Sequence, residues 1–275
     1  MPGAPDDTRL DGRRALVTGA GVGIGRAIAV RLADRGASVA LHHHGHAADA
    51  EATAAAITDA GGTAVALAAD LSDLTAAGEL VARAVDALGG LDILVNNAGR
   101  TVEGPFDAID PAGFDSLVRL NVGAAFFAAA AARPALTASG HGVIVNTTSV
   151  LAAQGGSGYV LYAATKGAIV SMSRSLAMEL APDEIRVLVV GPGLVEVPRY
   201  FEEDPVYSRE LGDRVVPIGR VGQPEDVAAL VAFLVSDAAS WMTGTVVWTD
   251  GGTTAQLDLG DLRPAVIRPA VVRPD

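Results

Sequence analysis

Short, uniformly apolar runs alternate along this chain with segments whose apolar positions recur every three to four residues. A run at 14–18 stops at glycines, and helical spacing follows over 24–35 until Gly36, placed as a glycine just past a helix end should be. The same pattern predicts strands at 38–41, 63–69 and 91–95, with helices over 47–60 and 74–88. The second half continues with a helix over 114–132, a strand at 142–146 and a helix over 162–180. A strand at 186–190, a helix over 224–235 and a strand at 246–249 complete it. Strands that are apolar without alternation are buried on both faces. Right-handed crossovers then give an α/β fold, a Rossmann-type doubly wound parallel sheet with helices on both faces. No break in composition divides 1–254, which is expected to be a single domain; 255–275, with three prolines and little periodicity, is expected to be a C-terminal extension.

Composition narrows the function classes. Half of the 275 residues are hydrophobic and 19% are charged, enough for a core and too apolar for a disordered chain. A mean hydropathy of +0.35 raises the question of a membrane. The charge-free stretch 142–165 is broken by Asn146, Thr147, Thr148, Ser149, Gln154 and glycines, and no apolar run reaches the ~18 residues of a spanning helix. The N-terminus carries no hydrophobic export segment, so a cytoplasmic protein without a membrane partner is expected. The absence of cysteine excludes disulfide scaffolds, thiolate metal sites and cysteine nucleophiles. A net charge of −12 argues against nucleic acid as a partner. The basic residues are nineteen arginines and one lysine, Lys166.

Candidate chemistry gathers where the predicted strands end. The first runs into TGAGVGIG at 18–25, glycines that let the backbone turn tightly and approach a pyrophosphate at a helix N-terminus. Asn96, Asn97, Ala98 and Gly99 close the fourth strand, where Asx side chains can hold a loop near a nucleotide. Asp70, after the third strand, can accept from an adenine amino group or serve the start of the next helix. Ser149 follows the strand at 142–146, at the edge where doubly wound folds bind ligands. Thirteen residues later Tyr162 and Lys166 stand four apart, on one helix face. A phenol is a poor acid or base near neutrality, but a neighbouring ammonium favours its phenolate. In so arginine-rich a chain, a solvated cation would be an arginine; a lone lysine marks a need for a compact ammonium.

TGxxxGxG at 18–25, NNAG at 96–99, Ser149 and YxxxK at 162–166, in this order over about 10–254, resemble the short-chain dehydrogenase/reductase family. The resemblance implies an NAD(P)(H)-dependent oxidoreductase that interconverts a secondary alcohol and a ketone, such as a small carbonyl, sugar or polyol. It implies Tyr162 as general acid/base, Lys166 as its tuning partner and ribose ligand, and Ser149 as the holder of the substrate oxygen. Asn121 would interrupt its helix and position a water for proton relay. Cofactor contacts would come from Gly19, Gly21, Val22, Gly23, Ile24 and Gly25. Further contacts would come from His43, His44, Asp70, Leu71, Asn97, Ala98 and Gly99, and from Tyr162, Lys166, Pro192, Gly193 and Val195. The family is also homotetrameric, so a homo-oligomer is expected.

Several residues depart from the family pattern. His43 stands where an acidic residue would bind the ribose hydroxyls of NAD and repel a 2′-phosphate. NADP(H) is therefore favoured over NAD(H), although Val22 takes a position that is basic in many NADP-dependent relatives. Four of the five histidines fall at 42–46, but a zinc ion there has no chemical purpose, and no metal is expected. Val197 replaces the family threonine that can bind the nicotinamide amide. The substrate loop falls at about 195–222, where relatives place a mobile lid; its acidic run Glu202, Glu203 and Asp204 is read as serving solubility. Two alternatives remain: a 3-oxoacyl-thioester reductase, for which the acidic charge is unhelpful, and a silent dinucleotide sensor. An enoyl-thioester reductase is disfavoured, since relatives with that activity have a longer gap than that between Tyr162 and Lys166.

Overall fold

The computed structural model describes residues 7–197 and 207–256. Seven strands form one parallel sheet: β1 (Arg14–Val17), β2 (Ser38–His43), β3 (Thr63–Ala68), β4 (Ile93–Asn96), β5 (Val143–Thr147), β6 (Arg186–Pro192) and β7 (Val246–Thr249). Their order is β3-β2-β1-β4-β5-β6-β7, so the chain reverses direction across the sheet between β1 and β4. That reversal opens the crevice in which such folds take ligands. In the central strands consecutive side chains bury on opposite faces, as expected for a sheet covered on both sides. Ala15 and Val17 pack with Ile28 and Leu32 of α1 (Gly23–Asp34) and with Val227 and Val231 near the chain's end. Leu16, Leu94 and Ile144 pack with Leu80 and Ala84 of α3 (Leu74–Leu88), which follows α2 (Ala47–Asp59). The doubly wound, single-domain architecture expected from the sequence is the one observed.

The largest local difference lies between β4 and β5. The expected helix over 114–132 is a longer rod, α4 (Pro111–Val118) and α5 (Ala124–Ser139), joined through the π-turn Arg119–Gly123. Asp110 starts it by accepting the Gly113 N–H at 2.7 Å. The rod continues through Pro134, which removes one backbone donor but is flanked by the buried Ala132 and Leu136. At 29 residues, the rod is long and apolar enough to cross a membrane by length and composition. Its buried face, however, packs on α3 and under the sheet. Among the described residues the remaining α-helices are α6 (Val160–Leu180), α7 (Arg209–Val215) and α8 (Pro224–Val235); the first starts two residues before its expected position, and α7 was not expected.

Candidate active site

The glycine loop is shaped for a group that needs close backbone approach. Gly19 adopts φ +65°, and a Cβ on Gly25 would stand 2.1 Å from the Gly19 carbonyl oxygen. A side chain on Gly21 would stand 2.7 Å from the Cβ of His46. Val22 caps α1 with no side-chain bond, and no acidic residue occupies the first turn, which leaves the helix's positive end open to an anion. Asn97 holds the loop: its Nδ2 donates to the carbonyls of Thr18 and Gly19 at 3.0 and 3.1 Å. Thr18 returns the grip, its Oγ1 accepting the N–H groups of Asn97 and Ala98 at 2.9 and 3.0 Å. Across the loop, a Cβ on Gly23 would meet the Val197 methyl at 3.2 Å. Val197 thus forms an apolar wall where the family pattern has a hydrogen-bonding threonine.

At the outer end of the crevice, β2 finishes in His43, buried, with its Nδ1 lacking any hydrogen-bond partner. His44 is exposed, its Nδ1 3.3 Å from the Ala69 carbonyl and 3.8 Å from Asp70. Asp70 does not cap α3; Asp73 does, accepting from the Thr75 N–H at 3.0 Å. One oxygen of Asp70 accepts from the Ser72 N–H and hydroxyl, bonds that hold its carboxyl below the usual range, and the side chain stays exposed beside Leu71. Leu71 itself is buried in the core.

At the inner end, β5 delivers three consecutive residues to α6. Asn146 Nδ2 donates to Ser173 Oγ at 2.9 Å, the Thr147 carbonyl accepts from Lys166 Nζ at 3.0 Å, and Thr148 Oγ1 donates to the Lys166 carbonyl at 2.7 Å. Asn96 Nδ2 donates to Asn146 Oδ1 at 2.8 Å, so β4 is tied into the same buried chain. Lys166 is buried and lies 5.7 Å from the centroid of the half-buried Tyr162 ring. Burial pulls its pKa from 10.5 down to about 8, because desolvation disfavours the ammonium. A Cβ on Gly99 would stand 3.7 Å from Lys166 Nζ, which puts the turn after β4 over the ammonium. Ser149 caps the short turn Val150–Ala152, its Oγ accepting the Leu151 N–H at 3.3 Å. Thr147 Oγ1 is buried and has no partner.

Asn121 is buried at the centre of the π-turn. Its Oδ1 accepts the Arg100 N–H at 3.0 Å, and its Nδ2 donates to the Arg100 carbonyl at 3.0 Å and to Thr165 Oγ1 at 3.1 Å. Thr165 passes the link on by donating to the Tyr162 carbonyl at 2.7 Å. Both amide protons are therefore committed to protein, and any donation to a relay water would have to come from elsewhere. On the far side of the crevice, Gly193 packs against Asp250 and Val195 bridges to Gly222. Pro192 ends β6 beside them. The chain Asn96–Asn146–Ser173 was not anticipated; its only trace in the sequence is an asparagine ending a buried apolar strand. Of the substrate loop, Tyr200, Phe201, Glu202, Glu203 and Asp204 lie outside the described residues, as does 257–275.

The fold and this crevice have close counterparts. A family model described as enoyl-(acyl carrier protein) reductase matches residues 19–254. Versicolorin reductase of Emericella nidulans is 36% identical over 258 residues, which cover 90% of this chain and 97% of that protein. A short-chain dehydrogenase of Burkholderia cenocepacia, solved in complex with NADP, shares 39% identity at a TM-score of 0.82, over 89% of this chain and 99% of that one. A 7α-hydroxysteroid dehydrogenase, solved with NADH and 7-oxo glycochenodeoxycholic acid, shares 35% identity at a TM-score of 0.86, over 93% of this chain and all of the other. The chain belongs to the short-chain dehydrogenase/reductase family. It is an NAD(P)-dependent dehydrogenase/reductase.

Proposed function

We propose that the protein interconverts a secondary alcohol and a ketone on a small molecule, with NADP(H) favoured over NAD(H). The observation that carries this reading is Lys166, a buried ammonium held by the Thr147 carbonyl beside the Tyr162 ring. Bound in the crevice, the dinucleotide supplies or accepts the hydride. Tyr162 gives a proton to the substrate oxygen in reduction and takes it back in oxidation. Lys166 favours the phenolate through its charge. Ser149, two residues beyond the carbonyl that holds Lys166, donates a hydrogen bond to the same substrate oxygen and offsets its developing charge. Asn121 acts through Thr165 on the backbone of Tyr162 and fixes the loop at Arg100.

The preference for NADP(H) rests on the end of β2, where His43, its buried Nδ1 unpartnered, stands in place of the acidic residue that would repel a 2′-phosphate. The NADP and NADH complexes of the two solved relatives bracket both options. A 3-oxoacyl-thioester substrate is the weaker reading, since a chain of net charge −12 offers an acidic carrier little attraction. A homotetramer in the cytoplasm rests on family likeness alone; self-association is supported by exposed apolar side chains in two areas. Phe114, Phe126 and Phe127 are exposed along the α4–α5 rod, and Trp241 and Met178 are exposed towards β7. The test is a screen of ketones, sugars and polyols with both cofactors, run alongside Tyr162→Phe. Turnover that survives Tyr162→Phe would overturn the reading.

A further inference from the structure

His42 takes no part in the chemistry assigned above, yet both nitrogens of its buried ring meet protein. Nδ1 accepts the Gly19 N–H at 3.0 Å, and Nε2 donates to the Ala69 carbonyl at 3.1 Å. Its own carbonyl accepts the Ala20 N–H at 2.7 Å. One residue of β2 therefore touches the first glycine of the loop and the end of β3, immediately before Asp70. Because Nδ1 faces a donor, the ring has to be neutral with its proton on Nε2. Protonation would set one N–H against another.

We propose that His42 is a positioning residue for the cofactor, a neutral imidazole strut that fixes Gly19 against the end of β3. The pyrophosphate cradle and the nucleoside end of the crevice then keep a constant separation. Gly19 sits at φ +65°; Asn97 holds its carbonyl, and His42 is what holds its N–H. The proposal rests on the dinucleotide reading of the site. Burial is the main influence on the ring and lowers its pKa from 6.5 to about 4, opposed by the bond to Ala69. His43 at the end of β2, His44 just beyond it and Arg83 on α3 lower it further. Arg83 donates to the Ala68 carbonyl at 2.8 Å, and Asp70 faces the group across His44.

The test is fluorescence titration of the full chain with NADPH and NADH, in wild type, His42→Ala and His42→Asn, with circular dichroism at each pH. Loss of a buried hydrogen-bonded pair predicts that His42→Ala weakens dinucleotide binding by about tenfold near neutrality. In His42→Asn, Oδ1 reaches as far from Cβ as Nδ1 does and accepts the Gly19 N–H, but nothing reaches the Ala69 carbonyl, so only part of the affinity returns. Wild-type affinity falls as the pH approaches about 4, while that of His42→Asn, which cannot titrate, does not follow it. Near-wild-type binding by His42→Ala overturns the proposal, as does an acid profile in His42→Asn identical to wild type. A wild type that binds neither dinucleotide overturns the functional reading itself and the strut with it.

Discussion

Lys166 Nζ donates to the main-chain carbonyl of Thr147 at 3.0 Å, so the ammonium is aimed by the strand that delivers Ser149 two residues later. The tyrosine's partner and the expected substrate-oxygen ligand therefore share one rigid support. Lys166→Arg retains the charge but brings a planar fork that cannot occupy the same buried point. We expect kcat/KM to fall by about a hundredfold or more, within the range a general acid–base group supplies. Steady-state kinetics beside a cofactor titration would check it, and Tyr162→Phe should abolish turnover with binding nearly intact.

The buried ammonium makes activity and stability respond oppositely to alkali. As the pH rises through about 8, Lys166 loses its proton in the fold, and turnover should decline. In the unfolded chain the same group holds its proton up to 10.5, so from about 8 to 10.5 the unfolded state binds more protons. Stability then rises with pH, by at most about 3 kcal/mol from this group. Denaturant melts and pH–rate profiles run together, with Lys166→Met as control, would show the opposed slopes; parallel slopes would contradict the assignment.

Thr148 anchors the catalytic helix through its backbone, donating to the Lys166 carbonyl at 2.7 Å. Thr148→Val keeps the shape and leaves that buried carbonyl without its donor, which should destabilise the protein by about 1–3 kcal/mol. Thr148→Ser should restore most of the loss. Because the anchor sits at Lys166 itself, kcat should suffer more than the KM for cofactor.

His43 ends β2 where an acidic residue would select NAD. His43→Asp should shift the ratio of kcat/KM values towards NADH by about tenfold or more, through repulsion of the 2′-phosphate. An unchanged ratio would show that the choice is made elsewhere.

The parts of the molecule set by local spacing were legible in advance. Tyr162 and Lys166 lie within one helical turn, and the glycines at 19–25 sit between a buried strand and its helix. What escaped depends on partners distant in the chain. Asn96 meets Asn146 fifty residues on, and His42 meets Gly19 and Ala69. Periodicity also could not show the π-turn, because one extra residue within an apolar helix leaves the pattern of alanines and phenylalanines nearly unchanged. The seven-residue α7 was too short, with Gly212 inside it, to stand out from a loop.

The π-turn has a consequence for the chain as a heritable text. Each residue of an α-helix turns the next by about 100°. Deleting one residue from 119–123 would turn the wide turn into an ordinary helical one and leave Ala128, Ala132 and Leu136 in the core they now fill, because the turn absorbs that one extra residue. It would, however, withdraw Asn121 from Arg100 and Thr165. The irregular turn is thus kept for its side chain rather than for the helix: a deletion there would improve the rod, hold its register, and lose the amide that ties Arg100 to Thr165.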